Sequence, residues 1–216
     1  MKTVLYFHGF LSSPASQKVQ VLREALQGCE RAYPFTLIAP NMNQAPRDVE
    51  AMLTEYAQTL NLSETVVIGS SLGGFWATRF MQRYHTPGVL LNPCLVPWDF
   101  ISLYVGRQKV YGLEEYFDVK PEYEADFVAL DAEVPARVPQ PGRTLTLISM
   151  LDEVLPWEMT FKHSEGSVRV MLPESDHQIS DFARVVSMVV DFIHERTLPV
   201  TDLSGITGRF SPTRQC

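Results

Sequence analysis

Cysteine is scarce in this chain of 216 residues, and both long apolar runs and clusters of basic residues are missing from it. The three cysteines, Cys29, Cys94 and Cys216, form no C-x-x-C pair. The sequence therefore favours neither a disulfide framework nor a zinc site, and its cysteine content is typical of a reducing cytoplasm. No apolar run approaches the ~20 residues that span a bilayer, so we expect no membrane segment. The strand-like start of the chain also predicts no signal peptide.

Basic residues are also fewer than acidic ones in this chain. The formal net charge is −7 and no run of Lys or Arg interrupts the chain, which argues against a nucleic-acid-binding surface. Apolar residues make up 45% and charged residues 20% of the chain, values that are ordinary for a globular protein. A chain of this length predicts one domain with a substantial core.

Six short apolar runs alternate with segments of helical periodicity. Because most of these runs are apolar on both sides, they predict parallel strands that are covered by helices on both faces. The alternation predicts an α/β fold with a doubly wound parallel sheet of about six strands. The predicted strands are Thr3–Phe7, Thr36–Ala39, Thr65–Ile68, Gly88–Leu91, Leu145–Ser149 and Ser167–Leu172. The predicted helices cover residues 15–26, 47–60, 73–84, 156–163 and 179–195.

One interval, residues 94–142, interrupts this alternation. It shows no clear strand pattern, but it carries eight aromatic residues between Trp98 and Phe127. A loop of this length is unusual in a compact sheet unless it is functional, so we expect a partly helical cap insertion over the strand ends. A peripheral helix pair remains the alternative. The domain is thus expected to span residues 1–196, and residues 197–216 are expected to form an irregular tail.

A glycine-rich turn follows the third predicted strand. Residues 69–74 read Gly-Ser-Ser-Leu-Gly-Gly, and a helical pattern begins directly after them. The spacing Gly69-x-Ser71-x-Gly73 between a strand and a helix is typical of a nucleophile elbow, which raises a serine hydroxyl above the end of a sheet. An ordinary Gly/Ser-rich turn is the alternative. The context on both sides favours Ser71 as a nucleophile.

A serine hydroxyl needs a base, and the base needs an orienting acid. With a nucleophile elbow the expected chain order is Ser, then Asp or Glu, then His. Four of the five histidines precede the serine, end the helix after it or lie in predicted helices, namely His8, His85, His163 and His194. Only His177 lies in a loop after the last predicted strand, so it is the predicted base.

Asp152 is the predicted acid, because it follows the strand Leu145–Ser149 almost at once. Its alternative role is to cap the next helix. Glu153 is adjacent but should point elsewhere, and Asp176 is poorly placed to face the ring of its neighbour His177. The insertion supplies further carboxylates, at Asp99, Asp118, Asp126 and Asp131.

Two backbone amides are predicted to form an oxyanion hole. One belongs to Leu72, which follows the serine at the start of a helix whose dipole favours negative charge. The other is expected in the loop after the first strand, with Phe10 as the donor and Gly9 as the residue that permits the turn. The side chain of His8 is expected to make a structural contact.

Several of these segments together resemble the small bacterial YqiA/YcfP-like esterases of the α/β-hydrolase superfamily. The resemblance rests on His8-Gly9-Phe10, the turn at residues 69–74, Leu91-Asn92-Pro93, Asp152-Glu153-Val154-Leu155 and His177, and it covers roughly residues 1–195. It implies a reduced α/β-hydrolase fold that lacks the first two strands of the superfamily, with a sheet order of 2-1-3-4-5-6. Ser71 would then lie beside the point where the winding reverses, where open α/β sheets bind ligands.

The expected function is hydrolysis of carboxylic esters with a short or medium acyl chain, through Ser71, His177 and Asp152. No metal or cofactor is expected, and the only expected partner is a small-molecule ester. A thioesterase or acyltransferase would use the same residues. A non-catalytic binding protein on this fold is a further alternative.

Overall fold

The structure is a computed structural model that describes residues 2–28, 34–138 and 142–197. Six strands in these ranges form one sheet. They are β1 (Lys2–Phe7), β2 (Phe35–Ile38), β3 (Thr65–Ser70), β4 (Gly88–Leu91), β7 (Thr144–Ser149) and β8 (Val168–Leu172). All neighbouring pairs run parallel, in the order β2-β1-β3-β4-β7-β8. The predicted strands, their direction and their order are confirmed.

Helices cover both faces of this sheet. The helices are α1 (Gln17–Gly28), α2 (Pro46–Thr59), α3 (Gly73–Tyr84), α4 (Tyr123–Glu133), α5 (Trp157–His163) and α6 (Val186–Thr197). Side chains alternate along each strand, so Val4 and Tyr6 pack with α1 and α6 while Leu5 and Phe7 pack with α2, α3 and α4. Two apolar layers therefore hold the sheet between them. Within the described ranges, no helix is both long and apolar enough to cross a membrane.

The insertion contains strands that the sequence did not predict. Two short strands, β5 (Gly106–Lys109) and β6 (Tyr116–Val119), pair in an antiparallel hairpin. Two 3₁₀ turns precede them, Pro97–Asp99 and Ile101–Tyr104, and α4 follows. The insertion is thus partly helical, as expected, and also contains a hairpin that the sequence pattern did not reveal. Each strand has only four residues and is largely exposed, so it shows no apolar alternation for sequence analysis to detect.

Arg79 of α3 fixes α4 to the rest of the domain. Its side chain is 3% exposed, pairs with Glu50 of α2 at 3.0 Å and donates hydrogen bonds to the carbonyl groups of Leu130 and Val134. The ring of Phe127 adds an edge contact to the ring of Phe75, with centroids 5.3 Å apart. The buried cation satisfies the carbonyl groups at the end of α4, so this part of the insertion is firmly attached.

The last helix begins later than predicted. The sequence predicted a helix over 179–195, whereas the chain forms a 3₁₀ turn at Phe182–Arg184 and then α6. Ile179 adopts a left-handed conformation with φ of +48°, which a helix cannot include. The carboxylate of Asp176 accepts bonds from the amide and hydroxyl of Ser180, at 2.8 and 2.6 Å, and these bonds close the preceding loop. Of the predicted tail, residues 198–216 lie outside the described residues.

Candidate active site

Ser71 lies in the turn between β3 and α3. Its φ of +52° is a left-handed conformation that non-glycine residues seldom adopt. Backbone hydrogen bonds hold it there: its N–H donates to the carbonyl of Leu91 at 3.0 Å, and its carbonyl accepts from the amides of Gly74 and Cys94, at 2.7 and 2.9 Å. The turn therefore has the strained geometry that a nucleophile elbow requires.

The glycine after the turn allows the helix to approach the sheet closely. A Cβ atom at Gly73 would lie 2.0 Å from the carbonyl oxygen of Phe7, at the end of β1. No side chain fits into that space, so only glycine permits α3 to begin directly above the strand ends. This close approach explains the glycine at the last position of the motif.

His177 connects the serine with a carboxylate. Its Nε2 atom lies 3.0 Å from Oγ of Ser71, and its Nδ1 atom lies 2.9 and 2.8 Å from the two carboxylate oxygens of Asp152. An ionised carboxylate only accepts hydrogen bonds, so the ring proton must reside on Nδ1. Nε2 is then free to accept the hydroxyl proton of Ser71. The structure thus brings together three residues that lie up to 106 positions apart.

The carboxylate of Asp152 is held by its own loop. Its side chain is 2% exposed, and Oδ1 also accepts bonds from the amides of Val154 and Leu155, at 2.9 and 2.7 Å. Because α5 begins only at Trp157, these bonds close the loop and do not cap the helix. The bonds to its own loop therefore hold the buried carboxylate in position independently of its contact with His177.

The competing acids have other partners. Oε2 of Glu153 accepts the backbone N–H of His177 at 3.0 Å, so this carboxylate holds the main chain of the histidine and not its ring. Asp176 binds Ser180, and mainly this hydroxyl bond lowers the pKa of its carboxyl. Neither has a hydrogen bond to the ring of His177 in the described structure.

Asn92 is a residue of the site that sequence reasoning missed. It follows β4, is 1% exposed and has a φ of +43°. Its Oδ1 accepts the backbone N–H of Ser149 at 2.8 Å, and its Nδ2 lies 2.9 Å from the carbonyl of His177 and 3.2 Å from that of Asp176. Asn92 thus ties the end of β7 to the histidine loop. Sequence analysis noted Asn92 only as part of the segment Leu91-Asn92-Pro93 in the family resemblance and gave it no role.

The backbone amides of the two predicted oxyanion donors are unpaired among the residues that the structure describes. Within the described part of the chain, the amides of Phe10 and Leu72 donate no hydrogen bond to another residue. The backbone of Gly9 lies against the serine, since a Cβ atom there would be 3.1 Å from Cβ of Ser71. Both amides are therefore available near the serine, as an oxyanion hole requires.

His8 makes the structural contact that was expected of it. Its Nε2 accepts the amide of Met42 at 2.9 Å, and its Nδ1 lies 2.9 Å from the carbonyl of Gly9. Burial lowers the pKa of His8, although its bonds to Gly9 and Asn41 oppose this shift. The ring is therefore neutral and keeps the loop after β1 in place.

A cavity of about 590 Å³ opens beside Ser71 and His177. The insertion contributes to one side of it through Tyr104, Tyr111 and Leu113. The hairpin is tied to the loop after β1, because the amide of Tyr111 donates to the carbonyl of Leu11 at 2.8 Å. The other insertion aromatics that sequence analysis noted do not all line this space. Trp98, for example, packs edge-on against Phe75, with centroids 6.5 Å apart.

A family profile matches residues 3–194 of the chain, nearly all of the described fold. The chain belongs to the uncharacterised protein family UPF0227. A relative in this family, from Shewanella woodyi, is 28% identical over 155 residues, which are 69% of this chain and 75% of the relative. The resemblance of the sequence to the YqiA/YcfP-like family is thereby confirmed.

Solved structures share the fold of this protein at low sequence identity. Est1E from Butyrivibrio proteoclasticus has a TM-score of 0.68 and 15% identity, with 90% of this chain and 88% of that chain covered. The esterase domain of a Rhodothermus marinus protein has a TM-score of 0.65 and 16% identity, with 90% and 87% covered. The fold is therefore that of an α/β-hydrolase, similar to the folds of esterases.

Proposed function

We propose that this protein is a serine esterase that hydrolyses carboxylic esters of short or medium acyl chain. The observation that carries the proposal is the unbroken hydrogen-bonded chain from Ser71 through His177 to Asp152. A base within hydrogen-bond reach of a hydroxyl, itself oriented by a buried acid, is what activation of a serine needs. The α/β-hydrolase fold and its likeness to esterases agree with this chemistry.

The reaction proceeds in two halves. Nε2 of His177 takes the proton of Ser71 while Oγ attacks the ester carbonyl carbon, and the resulting oxyanion accepts bonds from the amides of Phe10 and Leu72. The imidazolium then gives its proton to the departing alcohol, and an acyl-enzyme remains. Water, deprotonated by His177, attacks this ester and forms a second oxyanion. Its collapse breaks the bond to Oγ, which regains its proton, and releases the carboxylic acid.

The insertion has the role of a cap in this proposal. Tyr104 and Tyr111 line the cavity beside the serine, and the anchoring of α4 by Arg79 gives them a firm support. We propose that residues 94–142 belong to the hydrolase domain and shape its substrate site. The low cysteine content supports a location in a reducing cytoplasm.

Two other functions use the same site. A thioesterase or an acyltransferase differs only in its leaving group or acceptor, so it requires the same three side chains. A non-catalytic binding protein does not require them, and the aligned hydrogen bonds of Ser71 argue against it. The esterase is favoured because the solved structures that share this fold include an esterase domain.

A fluorophosphonate probe tests the proposal directly. We expect one adduct, on the peptide that contains Ser71, and hydrolysis of p-nitrophenyl butyrate by the same protein. Ser71→Ala should lose both the adduct and the hydrolysis and retain the circular dichroism of the native fold. Ser70→Ala is the matched control and should keep both. Hydrolysis that survives in Ser71→Ala contradicts the assignment, and activity on thioesters but not on esters supports the thioesterase.

A further inference from the structure

The part of the cavity next to α1 is polar, unlike the aromatic side that the insertion forms. Hydroxyl groups of Ser12 and Ser16 line it, and within the described residues neither side chain has a hydrogen-bond partner. Pockets for apolar acyl chains are lined predominantly by apolar side chains. This part of the cavity therefore fits a polar portion of a substrate.

Lys18 is the only Lys or Arg among the described residues that line the cavity. It lies in the first turn of α1, and its Nζ donates a hydrogen bond to the carbonyl of Gln178, the residue after His177. Burial lowers its pKa to about 8, although the charge of Asp176 opposes this shift. Lys18 itself is half-buried. An ammonium has three N–H donors, so two remain for a ligand.

Tyr6 also lines the cavity, and it carries a buried hydroxyl. Its side chain is fully buried, and its hydroxyl has no hydrogen-bond partner of acceptable geometry among the described residues, although Ser70 lies nearby. Native proteins rarely leave a buried hydroxyl without a partner. A ligand oxygen in the cavity can supply the missing acceptor.

We propose that this end of the cavity binds a carboxylate carried by the substrate, through the ammonium of Lys18 with the hydroxyl of Tyr6 as a second donor. The preferred substrates are then monoesters of dicarboxylic acids or esters of similar charge. The inference rests on the proposed esterase function, because it names the substrate class of that site. A single cation matches a monoanion better than a phosphate dianion.

Glu153 is the opposing charge in the same cavity. Its carboxylate accepts the amide of His177 at 3.0 Å, so it already has a partner on the side of the histidine loop. An alternative in which Glu153 selects a cationic substrate can be separated by experiment. The test must therefore include esters of all three charges.

Three p-nitrophenyl esters of similar length provide the test: hydrogen adipate, hexanoate and 6-aminohexanoate. We expect the protein to favour the adipate ester over the hexanoate ester by about tenfold or more in kcat/KM, the range for a hydrogen bond to a charged group. Lys18→Gln should remove this preference, because it should lower kcat/KM for the adipate ester about tenfold more than for the hexanoate ester. Tyr6→Phe should reduce the preference. Lys162→Gln, on exposed α5, is the matched control and should keep it.

Binding of free dicarboxylates separates failure of this inference from failure of the proposed function. In Ser71→Ala, calorimetry should show that adipate, pimelate or suberate binds, and adding Lys18→Gln should weaken that binding about tenfold. Ser71-dependent hydrolysis without a preference for the anionic ester, or with a preference for the cationic one, overturns the inference and leaves the esterase intact. Equal losses on all three esters in Lys18→Gln also overturn it, since Lys18 would then only hold the histidine loop.

If no ester is hydrolysed through Ser71, the proposed function fails. The dicarboxylate titration then still decides whether the cavity contains the proposed carboxylate site. Binding that depends on Lys18 supports an anion site on this fold. Absence of binding overturns the site as well.

Discussion

Replacing Asn92 by Ala should damage both the stability and the activity of this protein. The side chain is buried and satisfies the backbone N–H of Ser149 and the carbonyl groups of Asp176 and His177. A buried group left without its partner costs about 1–3 kcal/mol. The N–H of Ser149 is buried in β7, whereas the two carbonyl groups belong to half-buried residues, so we expect a loss of about 2–4 kcal/mol in the free energy of unfolding.

The activity should fall for a different reason. The bond from Asn92 to the carbonyl of His177 fixes the loop whose ring lies 3.0 Å from Oγ of Ser71. A displacement of this ring by about 1 Å can cost about 10²-fold in rate. Because Asn92 does not reach the substrate cavity, we expect the loss in kcat and only a small change in KM.

Urea titration measures the first effect, and steady-state hydrolysis of p-nitrophenyl butyrate measures the second. Asn61→Ala is the matched control, because Asn61 is exposed and its side chain makes two hydrogen bonds. It precedes β3, at the N-terminal ends of the strands and thus away from the candidate site. It should change neither quantity appreciably. An Asn92→Ala protein with the stability and kcat of the native protein would refute the positioning role of Asn92.

Three other perturbations test the site. Asp152→Asn should lower kcat by about 10⁴, because an amide can keep the bonds to Val154 and Leu155 while presenting the wrong group to His177; a loss below tenfold would assign the orienting role to another acid. For an anionic ester, kcat/KM should fall as the pH rises through about 8, where Lys18 loses its proton, and a neutral ester should lack this fall. Asp176 faces Lys18, and Glu153 and His177 line the same cavity, so Lys18→Gln is needed to assign the fall. Burial raises the pKa of the Cys94 thiol to about 12, so Cys94 should not react with a disulfide reagent at pH 8 until urea unfolds the protein; rapid reaction of a variant that retains only this cysteine would contradict its burial.

The sheet was predictable because its signals are local. Each central strand is a short apolar run, and parallel strands must end at one edge of the sheet, so the residues that follow them converge. For this reason the nucleophile-elbow motif and the positions of Asp152 and His177 after later strands were enough to expect these two residues beside Ser71. The same rule pointed to Asn92 only as a residue after a strand, since its partners lie 57 to 85 positions away.

The parts that sequence analysis missed lack such a signal. The hairpin consists of two exposed four-residue strands, and Gly112, at a φ of +73°, forms part of the connection between them. Lys18 belongs to an amphipathic helix, where a lysine normally faces water. Its contact with the carbonyl of Gln178 becomes visible only when the loop after His177 packs against α1. The late start of α6 follows a loop that the hydrogen bonds between Asp176 and Ser180 close, and apolar periodicity does not reveal such polar bonds.

The hydrogen bond between Tyr111 and Leu11 has a consequence for protein engineering. It joins the tip of the hairpin to the segment that presents the amide of Phe10, and Leu11 itself adopts a φ of +55°. Chimeras that exchange the hairpin to alter selectivity would therefore also disturb the geometry around the reacting carbonyl. A grafted hairpin that keeps a backbone N–H at position 111 should preserve turnover. A graft that removes this donor should change the substrate selectivity and also lower the rate. In the proposed site, one backbone hydrogen bond thus links the segment that contacts the substrate to the segment that contacts the reacting carbonyl.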